Sequence, residues 1–189
     1  MLVLGSSSSA RKSLLYSIGL IPEEILSPKI DETKKKKELP LCYVKRMAIE
    51  KSMALNLVGD SYLITADTVV SMGREVLDKT NNRDLAKTHL RRLSGRRHNV
   101  YTSFCVRHQG LFRNETVITQ LKMKTLSDQE IDEYLTGEEW LGKAGSYSIQ
   151  GRALSFFPFI SGCFSNVVGL PLPKLINVLR TMGFYSRKK

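Results

Sequence analysis

Leu2-Val3-Leu4 runs straight into Gly5-Ser6-Ser7-Ser8-Ser9-Ala10-Arg11-Lys12 and then Leu14-Leu15. This junction restricts the fold more than any other stretch. A short apolar strand breaks at a Gly/Ser loop, and the loop opens a helix over Ser9 to Ile18 that stops at Gly19. Strands feeding helices in this way build layers around a sheet. A helix start also presents unpaired N–H groups and the positive end of the macrodipole, which suits an anion. The serine hydroxyls, Arg11 and Lys12 add donors and charge. The same residues suit a serine-capped helix behind a turn. The phosphate-loop pattern GxxxxGK[ST] is absent.

The rest of the chain keeps alternating. Ile25-Leu26 is a second extended piece. Pro40 starts a helix through about Leu57. Tyr62 to Ala66 is a strand, and Val69-Val70 with Val76-Leu77 reads as a hairpin around Met72-Gly73. A helix from Asn82 to Leu93 stops at Gly95. Val100 to Arg107 and Leu111 to Met123 are extended, with Gln109-Gly110 between them. Ser127-Asp128-Gln129-Glu130 is a capping box opening a helix to about Leu135. Phe156 to Ile160 is a short strand, Val167 to Leu172 a structural strand or turn, and Pro171 opens a last helix to about Met182. The order points to α/β or α+β layers in one domain over residues 1–189.

Composition excludes several classes. No apolar run approaches the roughly 20 residues of a membrane helix. A signal peptide is not recognisable at the start, so the chain reads as cytoplasmic. Cys42, Cys105 and Cys163 form no CxxC pair, and His89, His98 and His108 lack ligand spacing, so structural or surface roles are assigned to all six. The net charge of +11 invites a nucleic-acid partner. Part of it sits in Lys34-Lys35-Lys36-Lys37 and Arg187-Lys188-Lys189, runs that are usually solvated, and no nucleic-acid-binding motif accompanies them. A polyphosphate substrate fits the charge equally well.

Two residues stand out chemically. Leu41, Val44, Ala48, Leu55 and Val58 mark the buried stripe of the long helix, and Lys51 falls within it. A lysine there must snorkel, pair, or face a cleft. Asp67 ends an apolar strand, where polar residues line the ligand crevice of an open sheet; a turn with Asp capping nearby amides is the plainer reading. Asp31-Glu32, Glu75, Asp78 and Lys79 read as solvated turn residues that could converge on Asp67. Lys143 to Gly151 is a polar, glycine-punctuated loop in which Gln150 could bond a base edge.

Taken in order, Leu4-Gly5-Ser6-Ser7-Ser8 with Arg11, Arg46-Met47-Ala48 with Lys51, Ala66-Asp67-Thr68-Val69-Val70, Leu93-Ser94-Gly95, Lys143-Ala144-Gly145, Ile149-Gln150-Gly151 and Val168-Gly169-Leu170-Pro171 resemble the Maf-like nucleoside triphosphate pyrophosphatases over nearly the whole chain. The resemblance implies an elongated mixed-sheet α/β fold of the Maf/ITPase-like kind, with a substrate cleft between two lobes, and a homodimer. It implies α–β cleavage of a nucleoside triphosphate with a divalent cation, Mg²⁺ or Mn²⁺, in nucleotide-pool sanitation with a link to cell-division arrest. It implies Asp67 as proton acceptor, with Lys51, Lys79, Ser6 and Arg11 around the phosphates. It further implies Glu32 as a residue serving metal or water beside Asp67, and Thr68 and Gln150 as positions that set base choice. Ala-Asp-Thr with Ile-Gln-Gly looks like the branch acting on dTTP and UTP, whereas SDQ and SEG mark the branch for methylated guanine nucleotides. Ala10 replaces an arginine tied to specificity, Thr80 replaces a proline, and Gly142 replaces an aspartate. A basic nucleic-acid-binding module and a nucleotide-binding regulator without turnover are the alternatives. The first predicts salt-sensitive binding, the second triphosphate binding without hydrolysis.

Overall fold

The computed structural model describes residues 1–57 and 59–184; Val58 and the basic run Arg187-Lys188-Lys189 lie outside the described residues. Among the described residues the strands are β1 (Leu2–Gly5), β2 (Glu24–Ile25), β3 (Tyr62–Met72), β4 (Glu75–Leu77), β5 (Arg97–His108), β6 (Leu111–Lys122) and β7 (Phe159–Ser161). They form one sheet in the order β2-β1-β3-β5-β6-β7, with β4 paired to β3. The β2, β1 and β3 strands run parallel, and every other pairing is antiparallel. The helices are α1 (Ser9–Ser17), α2 (Pro40–Met53), α3 (Arg83–Leu93), α4 (Asp128–Tyr134), α5 (Phe164–Val168) and α6 (Leu172–Thr181). The mixed α/β architecture expected from the alternation is therefore present. No helix among the described residues is long and apolar enough to cross a membrane.

Local chemistry accounts for most boundaries. Pro40 fills the first position of α2, where a missing N–H costs nothing. Asn82 caps α3, and Ser127 with Glu130 forms a complete capping box on α4. Gln109 and Gly110 both take positive φ in the tight turn between β5 and β6, as a two-residue hairpin demands. Two large apolar clusters flank the sheet's middle. One gathers Leu4, Leu15, Ile64, Phe104 and Leu179 under α1 and α6. The other gathers Leu90, Leu121, Ile131, Tyr147 and Phe157 around α3 and α4. A smaller one, with Val44 and Met47, lies under α2.

Several expectations need correcting. Asp67 does not end a strand: β3 runs on to Met72, because Thr68-Val69-Val70 continue the β-branched run and β5 pairs with all of it. The helix opened by Pro40 ends at Met53, not near Leu57. Its buried face is Tyr43, Val44, Met47, Ala48, Lys51 and Ser52; Leu41 is exposed and Leu55 half-buried beyond the helix end. The strand expected at Phe156 starts at Phe159, after a 3₁₀ turn over Arg152–Phe156. Val167-Val168 end the short helix α5 rather than form a strand.

One gap in the pairing positions the site. Along one edge of β3, β1 covers Tyr62 to Thr65 and β4 covers Val70 to Met72. Ala66 to Val69 have no strand there, only β5 on the far side. Side chains alternate across a sheet, so Asp67 leaves this window toward α2 and Thr68 leaves it on the opposite face.

Gly5, at the end of β1, is fixed by packing. A Cβ there would sit 2.6 Å from Thr65 Cγ2 and 2.8 Å from Leu55 Cδ1. Gly5→Ala is therefore expected to cost about 1–3 kcal/mol through overpacking, read as a lowered urea midpoint; an unchanged midpoint would show that β1 can back away freely.

Candidate active site

The site is organised around a buried lysine. α2 is anchored on β3 by a hydrogen bond from Thr65 Oγ1 to the Ala48 carbonyl, 2.9 Å. One helical turn further on, Lys51 points at the window. Its Nζ lies 2.6 Å from Asp67 Oδ1 and 3.0 Å from Glu32 Oε1. Asp67 is 3% exposed and Lys51 7%. An unpaired charge at that depth would be strongly unfavourable, and each neutralises the other. Of the open readings for Lys51, pairing at a cleft is the one realised.

Glu32 is delivered by the exposed loop that carries Lys34 to Lys37. α2 tethers this loop twice. Tyr43 Oη donates to the Glu32 carbonyl, 2.9 Å, and Arg46 donates to the Thr33 carbonyl, 3.0 Å. Arg46 also grips Glu38 through two bonds of 2.7 Å, which pulls the Glu38 carboxyl down to about 2.

On the opposite face of β3, Arg11 joins three parts of the chain. Its Nε donates to the Gly169 carbonyl (2.8 Å), Nη1 to Ser6 Oγ (2.9 Å) and Nη2 to Thr68 Oγ1 (3.1 Å). Burial lowers the Arg11 pKa, and the charges of Asp67 and Glu32 oppose this; a guanidinium stays charged throughout. Two of its five N–H groups stay available. The Thr68 hydroxyl is fully engaged. It accepts from Arg11 and lies 2.9 Å from Thr102 Oγ1, which itself donates to the Asn166 carbonyl at 2.8 Å. Thr68 is therefore the donor to Thr102.

A continuous cleft runs past the window. Its most polar part is lined by the serine loop, Ser6 to Ser9, with Arg11, Lys51, Lys79 and Lys143. There Ser8 caps α1 by accepting from the Arg11 amide. The second part holds three acidic residues, Glu32, Asp67 and Asp78. The third has apolar walls at Val70, Tyr147, Ile149 and Val167, and also contains Ala10, Thr68 and Gln150. Lys79 lines all three. Its tip reaches solvent, yet the surrounding protein lowers its pKa; Asp67 opposes that shift, and Arg11 and Lys51 add to it.

All nine residues singled out from the sequence, Ser6, Ala10, Arg11, Glu32, Lys51, Asp67, Thr68, Lys79 and Gln150, therefore line the cleft or its ion pairs. Sequence reading left Lys143 as part of a polar loop, although it faces the serine loop; Asp78, read as a turn residue that could converge on Asp67, lines the same part of the cleft as Asp67. Sequence reading also treated Val167 to Leu172 as structural, although Gly169 anchors Arg11. A glycine directly after an apolar pair was the available signal, and in the structure it takes φ +130°. His89 and His98 hold the cleft's far wall, bonding Ser146 and Tyr147, and burial alone takes His98 down to about 4.

The ion pairs predict an asymmetry in stability. Lys51→Met leaves Asp67 buried without a cation and should cost roughly 3–5 kcal/mol. Asp67→Asn leaves Lys51 paired with Glu32 and should cost markedly less. Urea unfolding of both variants checks this, and equal losses would count against it.

The chain matches the family described as Maf-like protein over residues 1–182. It is 48% identical over 189 residues to a nucleoside triphosphate pyrophosphatase of Neorickettsia sennetsu, covering 99% of this chain and 90% of that protein. It is 43% identical over 184 residues to a dTTP/UTP pyrophosphatase of Roseobacter denitrificans, covering 97% and 98%. A nucleoside triphosphate pyrophosphatase of Anaplasma marginale is 45% identical over 189 residues, covering 99% and 95%. With a match of this extent, the chain belongs to the Maf-like protein family.

Proposed function

We propose that this protein is a nucleoside triphosphate pyrophosphatase that hydrolyses dTTP and UTP to the monophosphate and pyrophosphate. The observation that carries the reading is the placement of Asp67: a buried carboxylate at the gap in the sheet, held by Lys51 and adjoining a cationic serine-lined pocket. The relatives' names support both the reaction and the pyrimidine substrates.

In this reading the triphosphate lies along the serine loop. The first-turn amides of α1, the Ser6 hydroxyl and the two spare N–H groups of Arg11 bind its oxygens. Asp67 takes a proton from water, and the water oxygen forms a bond to the α-phosphorus. The bond from that phosphorus to the α–β bridging oxygen breaks, and pyrophosphate leaves with the electron pair. Lys79 and Lys143 face the charge that develops on it. Lys51 fixes the direction of the Asp67 carboxylate.

The donor set fits a hard divalent cation. Glu32, Asp67 and Asp78 line one part of the cleft, and Glu32 and Asp67 each keep a carboxylate oxygen beyond the one that meets the Lys51 ammonium. Among the described residues no group of three or more His, Cys, Asp or Glu side chains could hold a metal alone. Mg²⁺ or Mn²⁺ commonly takes one or two carboxylates and completes its shell with phosphate and water. When bound by Glu32 and Asp67, it would neutralise phosphate charge and favour ionisation of water. The cytoplasmic placement and the homodimer belong to the same proposal. Three free cysteines suit a reducing compartment, and Ile118, Phe159 and Phe164 expose apolar surface.

Two measurements test the reading. Asp67→Asn should lower pyrophosphate release from UTP by about 10²–10⁴-fold while the protein stays folded; full activity would refute the role of Asp67. Lys79 carries its charge below its lowered pKa and loses it above, so kcat/KM should fall on the alkaline side earlier than an ordinary lysine would allow. Lys79→Arg should move that limb to higher pH, and an unmoved limb would remove Lys79 from the phosphate site.

A further inference from the structure

The gap in β3 leaves the main-chain groups of Thr68, and beside the end of β1 those of Ala66, on an edge without a strand. The Tyr62 N–H donates to the Met1 carbonyl, 2.8 Å, so the main chain of Tyr62 faces the β1 edge. Alternate residues of a strand turn their N–H and C=O to the same edge, which sends those of Ile64, Ala66, Thr68 and Val70 the same way. The hairpin agrees: it closes at Met72 and Glu75, placing Val70 opposite Leu77 on this edge. The β1 strand ends opposite Thr65 and β4 begins opposite Val70. Thr68 therefore presents both N–H and C=O to the cleft with no strand beside them. Such groups in a strand interior are almost always paired.

The Thr68 side chain cannot serve in their place. Its hydroxyl accepts from Arg11 and donates to Thr102. The apolar walls of Val70, Tyr147, Ile149 and Val167 lie in the same part of the cleft, where a planar ring would exclude water from the strand edge.

We propose that Thr68 reads the base through its main chain: the N–H donates to the C4 carbonyl oxygen of uracil or thymine, and the C=O accepts the ring N3–H. This rests on the reading of the substrate as a pyrimidine nucleoside triphosphate with its phosphates on the serine loop. Phosphates held there prevent the ring from turning over. Cytosine then offers its N3 acceptor to a carbonyl and its amino group to an N–H, so neither bond forms. The 5-methyl group and the ribose 2′-hydroxyl are not on this edge, so thymine and uracil, ribose and deoxyribose are treated alike.

The decisive comparison uses the wild-type protein with UTP, 5-methyl-UTP, CTP and N3-methyl-UTP. Pyrophosphate release should be similar for the first two. It should fall by about 10- to 100-fold in kcat/KM for the last two, since each leaves buried groups unpaired. Thr68→Ala, which keeps the main chain, should preserve the UTP-to-CTP ratio whatever it does to the rate. Thr68→Pro removes an N–H that makes no ladder bond, and should collapse the ratio; if that variant does not fold, the nucleotide series decides alone. N3-methyl-UTP turned over as well as UTP would overturn the proposal, as would a ratio lost in Thr68→Ala. Equilibrium binding of UMP, CMP and N3-methyl-UMP separates this inference from the reaction on which it rests. Preference for UMP without pyrophosphate release from UTP would leave base reading intact and refute the pyrophosphatase, while equal binding of all three would refute base reading alone.

Discussion

The buried pair of Lys51 and Asp67 is the constraint around which the rest is arranged. A carboxylate in the middle of a central strand is tolerable only beside a cation of matching depth. The nearest helix face can supply one only if α2 crosses β3 at the correct height, which the Thr65–Ala48 hydrogen bond secures. The loop carrying Glu32 must then fold back over α2, and Tyr43 and Arg46 hold it there. One charged contact thus sets the position of a helix, a loop and the floor of the cleft.

Arg11 has the corresponding task on the other face. Its three bonds bring the serine loop, the middle of β3 and the turn after α5 to a common point. The hydroxyl relay from Thr68 through Thr102 to Asn166 runs in one direction, so each bond polarises the next. Because β3 alternates its side chains, neighbours in sequence reach different parts of the cleft: Asp67 lines the acidic part, and Thr68 also lines the part with apolar walls.

Local chemistry was readable in the residues themselves. The opening strand and helix, both hairpins, the capped α3 and α4, and the lysine within an apolar stripe all follow from side-chain type and period. What escaped was the result of long-range pairing. Asp67 resembled a strand end because it interrupts an apolar run, and only β5, some 35 residues on, shows why the strand continues. The exact face of α2 was blurred because Leu41 is apolar yet exposed, and Leu55 packs beyond the helix end, against Gly5. Lys143 and Gly169 were invisible as site residues, since nothing near them in sequence reports that their loops fold onto β3. The serine loop with Arg11, Lys51, Asp67 and Gln150 stood out from the residues themselves, whereas Ala10 drew attention only through the family resemblance.

The interrupted edge of β3 has one further consequence, for solubility. A bare strand edge is a template on which another chain can pair and aggregate. Here the bare stretch spans only Ala66 to Val69, stopped by β1 at one end and β4 at the other. It is recessed beside Lys79 and Lys143, whose charge repels further copies of so basic a protein. The fold can therefore interrupt the pairing of a central strand and still disfavour self-association there, because the open edge is short and lies beside cationic side chains.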